Sequence, residues 1–312
     1  MDRYLTLGIV RITEMAALYA SRYMGRGDET QAYASASNAM RQTLASIHGD
    51  INIVIGGDDA ELASGTRITT ASEPKIDVAL KPLDGKTTCA RGGHNAAAVT
   101  AVGDAGAFMP TDPGLMTKIA VGPDLKGIID IDLPPSVNIK RVARARKKYI
   151  EDVTVCVLDR EYNMQTVDYV RETGARIVFI RGGDISGVVS AAMPDNQIDL
   201  FIGTGGRREG VLAAAALKCI GGDMQARYVY QADDEHSNAM ANVDYNKIYT
   251  ISDLVPGTET VVAITGVTDG VLLKGVRYVS GGAETSSVVF RQKTHTIRQI
   301  QAIHRFDSKP GF

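Results

Sequence analysis

Between residues 153 and 220 the chain alternates short apolar runs with segments of helical period, and that order constrains the fold more than any other feature. Residues 153–158, 176–180 and 198–202 are β-rich and apolar, whereas 164–172, 185–193 and 209–220 repeat at the helical spacing. Strands separated by helices need crossover connections, so these strands pair in parallel and the chain is an α/β protein. Each strand ends in a polar or glycine-rich loop: Asp159-Arg160-Glu161-Tyr162, Arg181-Gly182-Gly183-Asp184, and Gly203-Thr204-Gly205-Gly206-Arg207-Arg208-Glu209. Sites in open α/β sheets collect at the carboxyl ends of strands, so these loops are expected to share one crevice. In the third loop, glycines let the backbone approach a phosphate, and the helix that follows offers its N-terminus to an anion.

The first half reads as helix, helix, strand. Asp2 can cap a helix through about residue 24, with Leu5, Ile9, Ile12, Met15, Ala16 and Tyr19 on one face and Gly25-Arg26-Gly27 ending it. A second helix covers 30–47. The apolar run 51–55 breaks at an acid-rich turn, Gly56-Gly57-Asp58-Asp59. Ile76, Val78 and Leu80 alternate with Asp77, Ala79 and Lys81 until Pro82 and Gly85 stop the run, giving a strand and a tight loop that brings Asp84 to the same crevice. Residues 96–102 form another strand and 121–132 a short apolar segment. Pro134-Pro135-Ser136 then opens a basic helix with Lys140, Arg141, Arg144 and Arg146 on a solvated face. Late strands are expected at 260–264 and 286–291, and the polar stretch 231–246 reads as a mobile surface segment.

Net charge of -2 over 312 residues gives no reason to expect nucleic acid or an anionic membrane as partner. Asp2 and Arg3 lead straight into the amphipathic pattern, and no apolar run approaches the ~20 residues of a membrane span. A cytoplasmic protein is therefore expected. Cys89, Cys156 and Cys219 are odd in number and widely spaced, and read as buried reduced thiols.

Lys81-Pro82-Leu83-Asp84-Gly85-Lys86 resembles, with two altered letters, the metal-binding loop of the sugar and inositol phosphatases. The stretches Leu217-Lys218-Cys219-Ile220-Gly221-Gly222-Asp223-Met224-Gln225 and Thr265-Gly266-Val267-Thr268-Asp269-Gly270 are similar to class II fructose-1,6-bisphosphatases. Arg11-Ile12-Thr13-Glu14, Met24-Gly25-Arg26-Gly27-Asp28, Lys118-Ile119-Ala120-Val121-Gly122-Pro123 and Glu209-Gly210 agree, so the resemblance spans about residues 3–307. It implies a layered αβαβα sugar-phosphatase fold in one compact unit. Residues 1–150 would carry the metal loops and 151–312 the sugar-phosphate loops. It also implies Mg²⁺ or Mn²⁺ if the protein is active, with fructose-1,6- or sedoheptulose-1,7-bisphosphate as the partner ligand. A homo-oligomer, dimer or tetramer, is implied too, with a hetero-oligomer containing an active paralogue as the other arrangement.

Carried over residue by residue, the resemblance puts one family metal ligand on Tyr33, one on Gly57 and one on Lys81, and it retains Asp84 and Glu209. Glu61 falls on the acid that helps activate water, and Lys86 on the threonine beside that water. Arg160 matches a contact to the far phosphate, Tyr162 stands where a second arginine is expected, and Asp184 matches a contact to sugar hydroxyls. Arg207 and Arg208 replace Ala-Pro. Lys81, Lys86, Arg207 and Arg208, with the Gly205 and Gly206 backbone, are candidate direct phosphate binders. At ~4 Å and an effective dielectric of ~20, each unit-charge interaction is on the order of 4 kcal/mol, so an ammonium at 81 opposes a divalent cation strongly. The leading expectation is a noncatalytic paralogue that binds sugar phosphate or serves as a regulatory or structural subunit. The rival is an active phosphatase whose metal site is rebuilt from Asp58, Asp59, Glu61, Asp84 and Glu209. His94 is read as a local hydrogen-bonding residue.

Lys81→Asp alone is expected to leave phosphate release from fructose-1,6-bisphosphate at background, because Tyr33 and Gly57 still leave a divalent ion short of ligands. Full turnover from that single change would overturn the ligand assignment.

Overall fold

The computed structural model describes residues 3–194, 196–230 and 244–308. Asp2, the side chain of Leu5 and residues 231–243 of the polar stretch lie outside that description. Among the described residues, no helix is long and apolar enough to cross a membrane.

The chain divides into two compact units, Met1–Phe108 with Gly257–Phe312, and Met109–Pro256. In the first, α1 (Arg3–Ser21) buries Ile9, Ile12, Ala16 and Ala20 at the three- and four-residue spacing expected of one helix face. Asp28 caps α2 (Glu29–Leu44), its carboxylate accepting the Gln31 amide at 2.9 Å. Both helices pack on a sheet whose order is β12-β13-β11-β4-β3-β1-β2, with β14 on the free side of β13. Its members are β1 (Asp50–Ile55), β2 (Arg67–Thr69), β3 (Lys75–Asp84), β4 (Ala97–Gly103), β11 (Val261–Gly266), β12 (Arg277–Val279), β13 (Gly282–Arg291) and β14 (Thr296–Arg305). β1 and β3 run parallel, so the acid-rich turn after β1 and the Asp84 end of β3 emerge on the same edge. The short α3 (Lys86–Ala90) follows Gly85, whose φ of 84° requires a residue without a β-carbon penalty.

The second unit is a sheet covered on both faces, in the order β10-β9-β5-β8-β6-β7. It comprises β5 (Leu115–Val121), β6 (Thr154–Leu158), β7 (Arg176–Ile180), β8 (Leu200–Gly206), β9 (Asp223–Val229) and β10 (Tyr249–Thr250). β6 is parallel to β7 and β8, as the alternation requires, while β5 is antiparallel to β8 and β9. One face carries Ile119, Val121, Val155, Val157 and Ile202 against α4 (Pro135–Arg146) and α5 (Met164–Thr173). On the other, Met116, Lys118 and Cys156 meet Gly210 and Gly187, on α7 (Arg207–Ile220) and α6 (Asp184–Ser190). The short α8 (Ile251–Leu254) closes the unit through a capping box at Thr250 and Asp253.

The division expected near residue 150 falls inside this unit, because β5 and α4 pack with the strands that follow them. Six strands escape the sequence reading, the two- and three-residue β2, β10 and β12 and the longer β5, β9 and β14. β5 precedes the apolar segment read at 121–132, since Lys118 interrupts its apolar pattern. β9 alternates Met224, Ala226 and Tyr228 inward with polar residues between, and β14 is an edge strand with only partial burial. The run read at 198–202 continues to Gly206, so the glycine loop is itself strand, paired with β5. The three cysteines are free and buried.

Ile139, fully buried on α4, anchors the first face of the second unit. Ile139→Ala is expected to cost about 2–5 kcal/mol in denaturant unfolding. Ile303→Ala, at a site 72% exposed on β14, is expected to change stability by less than ~0.5 kcal/mol.

Candidate active site

In the first unit the acid-rich turn is braced from α2. Tyr33, on the buried face of that helix, sets its hydroxyl where the Asp58 amide donates to it at 2.6 Å. A Cβ at Gly57 would stand 2.4 Å from that oxygen, so the phenol leaves no room for a side chain at 57. Burial pushes the Tyr33 hydroxyl up to about 12, and it stays neutral at physiological pH. Lys86 Nζ lies 5.6 Å from the Tyr33 ring centre and 3.6 Å from Asp58. Asp59 accepts from the Leu62 amide at 2.9 Å with one oxygen and from Ser37 Oγ at 2.5 Å with the other. Glu61 turns to Arg41 of α2, an ion pair of 2.6 Å. Asp84 is buried at the end of β3, and the half-buried Lys81 is close enough for its charge to pull on Tyr33. Tyr33, Asp58, Asp59 and Lys86 thus form one cluster, and Glu61 is held by a different partner.

In the second unit the cluster forms around a lysine that the sequence reading passed over. Lys118 is 0% exposed in the middle of β5, and its ammonium is ion-paired with Asp184 at the start of α6. The same ammonium donates to the Gly206 carbonyl at 3.2 Å, and the Gly206 amide donates to Asp184 at 3.0 Å. Burial pushes the Asp184 carboxyl upward, the Lys118 ammonium and the Gly206 amide pull it down, and the charge of Glu209 adds an upward push. A Cβ at Gly205 would meet the buried Asp184 Oδ2 at 2.2 Å, so that glycine is required, whereas one at Gly206 would meet Glu209 Oε2 at 1.9 Å and force that carboxylate to move. Burial raises the Tyr162 hydroxyl as well, with opposition from the positive charge of Arg160 and reinforcement from Asp184 and Glu209. Asn163 ties two loops together, donating to the carbonyls of Leu158 and Thr204 and accepting the Thr204 amide at 2.7 Å. Arg160, Tyr162, Asp184, Gly205, Gly206 and Glu209 are therefore neighbours. Oδ1 of Asp184 is buried with no hydrogen-bond partner among the described residues.

Arg207 requires a correction. It is 0% exposed, donates to the carbonyls of Leu115 at 3.0 Å and Val229 at 2.8 Å, and lies 4.9 Å from the centre of the Tyr228 ring. Its charge is consumed in fastening α7 to β5 and β9, so it does not present itself to a phosphate. Arg208 is half-buried in the first turn of α7. The signal for Lys118 was present in the sequence as a lone cation at an inward position of an otherwise apolar strand, Leu-Met-Thr-Lys-Ile-Ala-Val. His94 bonds locally, with Nδ1 3.2 Å from the Asp269 carbonyl.

The family model described as bacterial fructose-1,6-bisphosphatase, glpX-encoded, matches residues 3–304. The chain is 36% identical over 325 aligned positions to a protein of Haemophilus influenzae named fructose-1,6-bisphosphatase class 2, covering 98% of each. It is 33% identical over 327 positions to fructose-1,6-bisphosphatase 1 class 2 of Escherichia coli K12, covering 99% of this chain and 97% of that one. The chain belongs to the class II fructose-1,6-bisphosphatase family.

That family is metal-dependent, and the first unit can be tested for its fit to a divalent ion. Hard cations need several oxygen ligands at about 2.0–2.6 Å. Here a neutral phenol, a glycine and an ammonium stand at Tyr33, Gly57 and Lys81, the three positions at which the sequence resemblance leads one to expect metal ligands. Both oxygens of Asp59 accept hydrogen bonds, and Glu61 is paired with Arg41. Among the described residues, no three His, Cys, Asp or Glu side chains form a group that could hold an ion. The side chains present do not fit the family's metal.

Removing Lys118 strands a buried carboxylate, so Lys118→Met is expected to cost about 3–5 kcal/mol. The Lys118→Met/Asp184→Asn double variant is expected to unfold at a lower cost than the sum of the single variants. Additive losses in a denaturant double-mutant cycle would show that the two groups do not act as a pair.

Proposed function

We propose that this chain binds a sugar bisphosphate or a closely related phosphorylated sugar without hydrolysing it, as a noncatalytic regulatory or structural subunit. The observation that carries this reading is the seating of Tyr33 over Gly57. A side chain long enough to reach a metal from position 57 cannot coexist with that hydroxyl, 2.4 Å from the Cβ it would need. Lys86 beside Tyr33 and Asp58 adds a cation where the family's chemistry uses a neutral hydroxyl.

Binding is supported from the second unit. The unpartnered Oδ1 of Asp184 is suited to accept a sugar hydroxyl, Arg160 to face a phosphate, and the Gly205–Gly206 backbone to allow close approach. The assembly we favour is a homo-oligomer or a mixed oligomer with an active paralogue. A second reading, an active metal-dependent phosphatase acting on fructose-1,6-bisphosphate, draws support from the full-length similarity to proteins bearing that name. It requires Asp58 and Asp59 to exchange their present partners for an ion.

Phosphate release from fructose-1,6-bisphosphate, measured while Mn²⁺ and Mg²⁺ are titrated with Glu209→Ala as control, separates the two. The expected result is no metal-dependent release, with the sugar bisphosphate still raising the melting temperature. Turnover that the control abolishes would replace the binding reading with the enzymatic one.

A further inference from the structure

A second cavity, of about 830 Å³, lies wholly within the first unit, at the end of the sheet opposite the acid-rich turn. Its walls include Gly8 and Arg11 of α1, Ile47 and His48 between α2 and β1, and Lys75 and Ile76 at the start of β3. Two acids, Asp104 and Glu259, also border it, and Glu259 is offset by a cation. Asp104 accepts the Glu259 amide at 3.3 Å, and Glu259 pairs with Lys293 at 2.5 Å, which holds its carboxyl down at about 2. The side chains of Arg11, His48 and Lys75 make no hydrogen bond or ion pair among the described residues, and Arg11 and Lys75 outnumber the one acid that no cation pairs, Asp104, so the net charge of the lining is positive. Gly8 adds an independent observation. It sits within a helix at the expense of helix propensity, and a Cβ there would meet nothing within 4 Å, so its neighbours do not require a glycine. What the glycine leaves open is the cavity.

We propose that this cavity is a binding site for a small organic anion with a flat apolar body, its anionic group on Arg11 and Lys75 and its body against Ile47 and Ile76. The volume falls in the range of small-molecule sites, about 300–1,000 Å³. Guanidinium and ammonium groups give charge-assisted hydrogen bonds to phosphate or carboxylate oxygens. Because β1 and β3 are parallel, a ligand here touches their amino ends while the acid-rich turn and Asp84 stand at their carboxyl ends. Such a ligand does not compete with one held at those carboxyl ends. The site is independent of whether the family's hydrolytic activity survives.

Phenyl phosphate, inorganic phosphate and benzyl alcohol, titrated calorimetrically into the full-length protein, test the assignment. Phenyl phosphate is expected to bind saturably, and at least tenfold more tightly than either fragment. Arg11→Ala and Lys75→Ala are each expected to weaken it at least tenfold. Gly8→Leu, which fills the cavity without removing charge and suits a helix better, is expected to abolish binding while the protein melts no lower than the parent. Absence of saturation, equal binding of phenyl and inorganic phosphate, or affinity unchanged in the three variants would each overturn the proposal. So would loss of binding in Arg160→Ala instead, which would place the ligand on the second unit's loops.

Discussion

The Lys118–Asp184 ion pair is the contact on which the polar and glycine-rich loops of the second unit depend. Taking two opposite charges out of water costs several kcal/mol per ion, and their attraction offsets that only where the geometry is tight and the remaining polar atoms are satisfied. Here the Gly206 amide and carbonyl supply part of that satisfaction. One ammonium in β5 therefore holds together the first turn of α6, the end of β8 and the entry to α7. The glycines of the loop follow from this packing, since Asp184 and Glu209 occupy the space that side chains at 205 and 206 would need. Asp184 keeps one buried oxygen without a partner. A buried acceptor left open is costly in an isolated fold and useful in one that receives a donor from a ligand.

The first unit shows a different solution to a similar problem of buried polarity. The acid-rich turn is held from within: the Tyr33 hydroxyl accepts the Asp58 amide, Asp59 accepts the Ser37 hydroxyl and the Leu62 amide, and the Lys86 ammonium pairs with the Asp58 carboxylate. Positions 33 and 57 are packed as a pair: a phenol on α2 takes the space and a glycine on the turn cedes it. Lys81 acts in the same electrostatic direction, lowering the cost of a nearby phenolate and raising the cost of a nearby cation.

Much of this was legible in the sequence, for reasons that differ from residue to residue. The α/β class followed from apolar runs alternating with segments of period 3.6, because β6, buried along its whole length, is parallel to β7 and β8, and parallel strands must be joined by crossovers. The loop at Lys81–Lys86 was singled out by its resemblance to the family's metal-binding loop, and chemistry added only that Lys81 remains a lysine in any fold. β5, β9 and β14 were harder to read. Their patterns are broken by a buried ion pair, by half-burial and by an edge position, and all three depend on neighbours distant in sequence.

Arg207 and Lys118 mark the boundary. The sequence by itself determined that both carry positive charge, that glycines precede the first, and that apolar residues surround the second. Only the tertiary structure decided that Arg207 is spent on backbone carbonyls while Lys118 organises the glycine-rich end of β8. The physical reason is that a charge acts through its partners, and β5 brings Leu115, Val229, Asp184 and Gly206 together only when the sheet has formed.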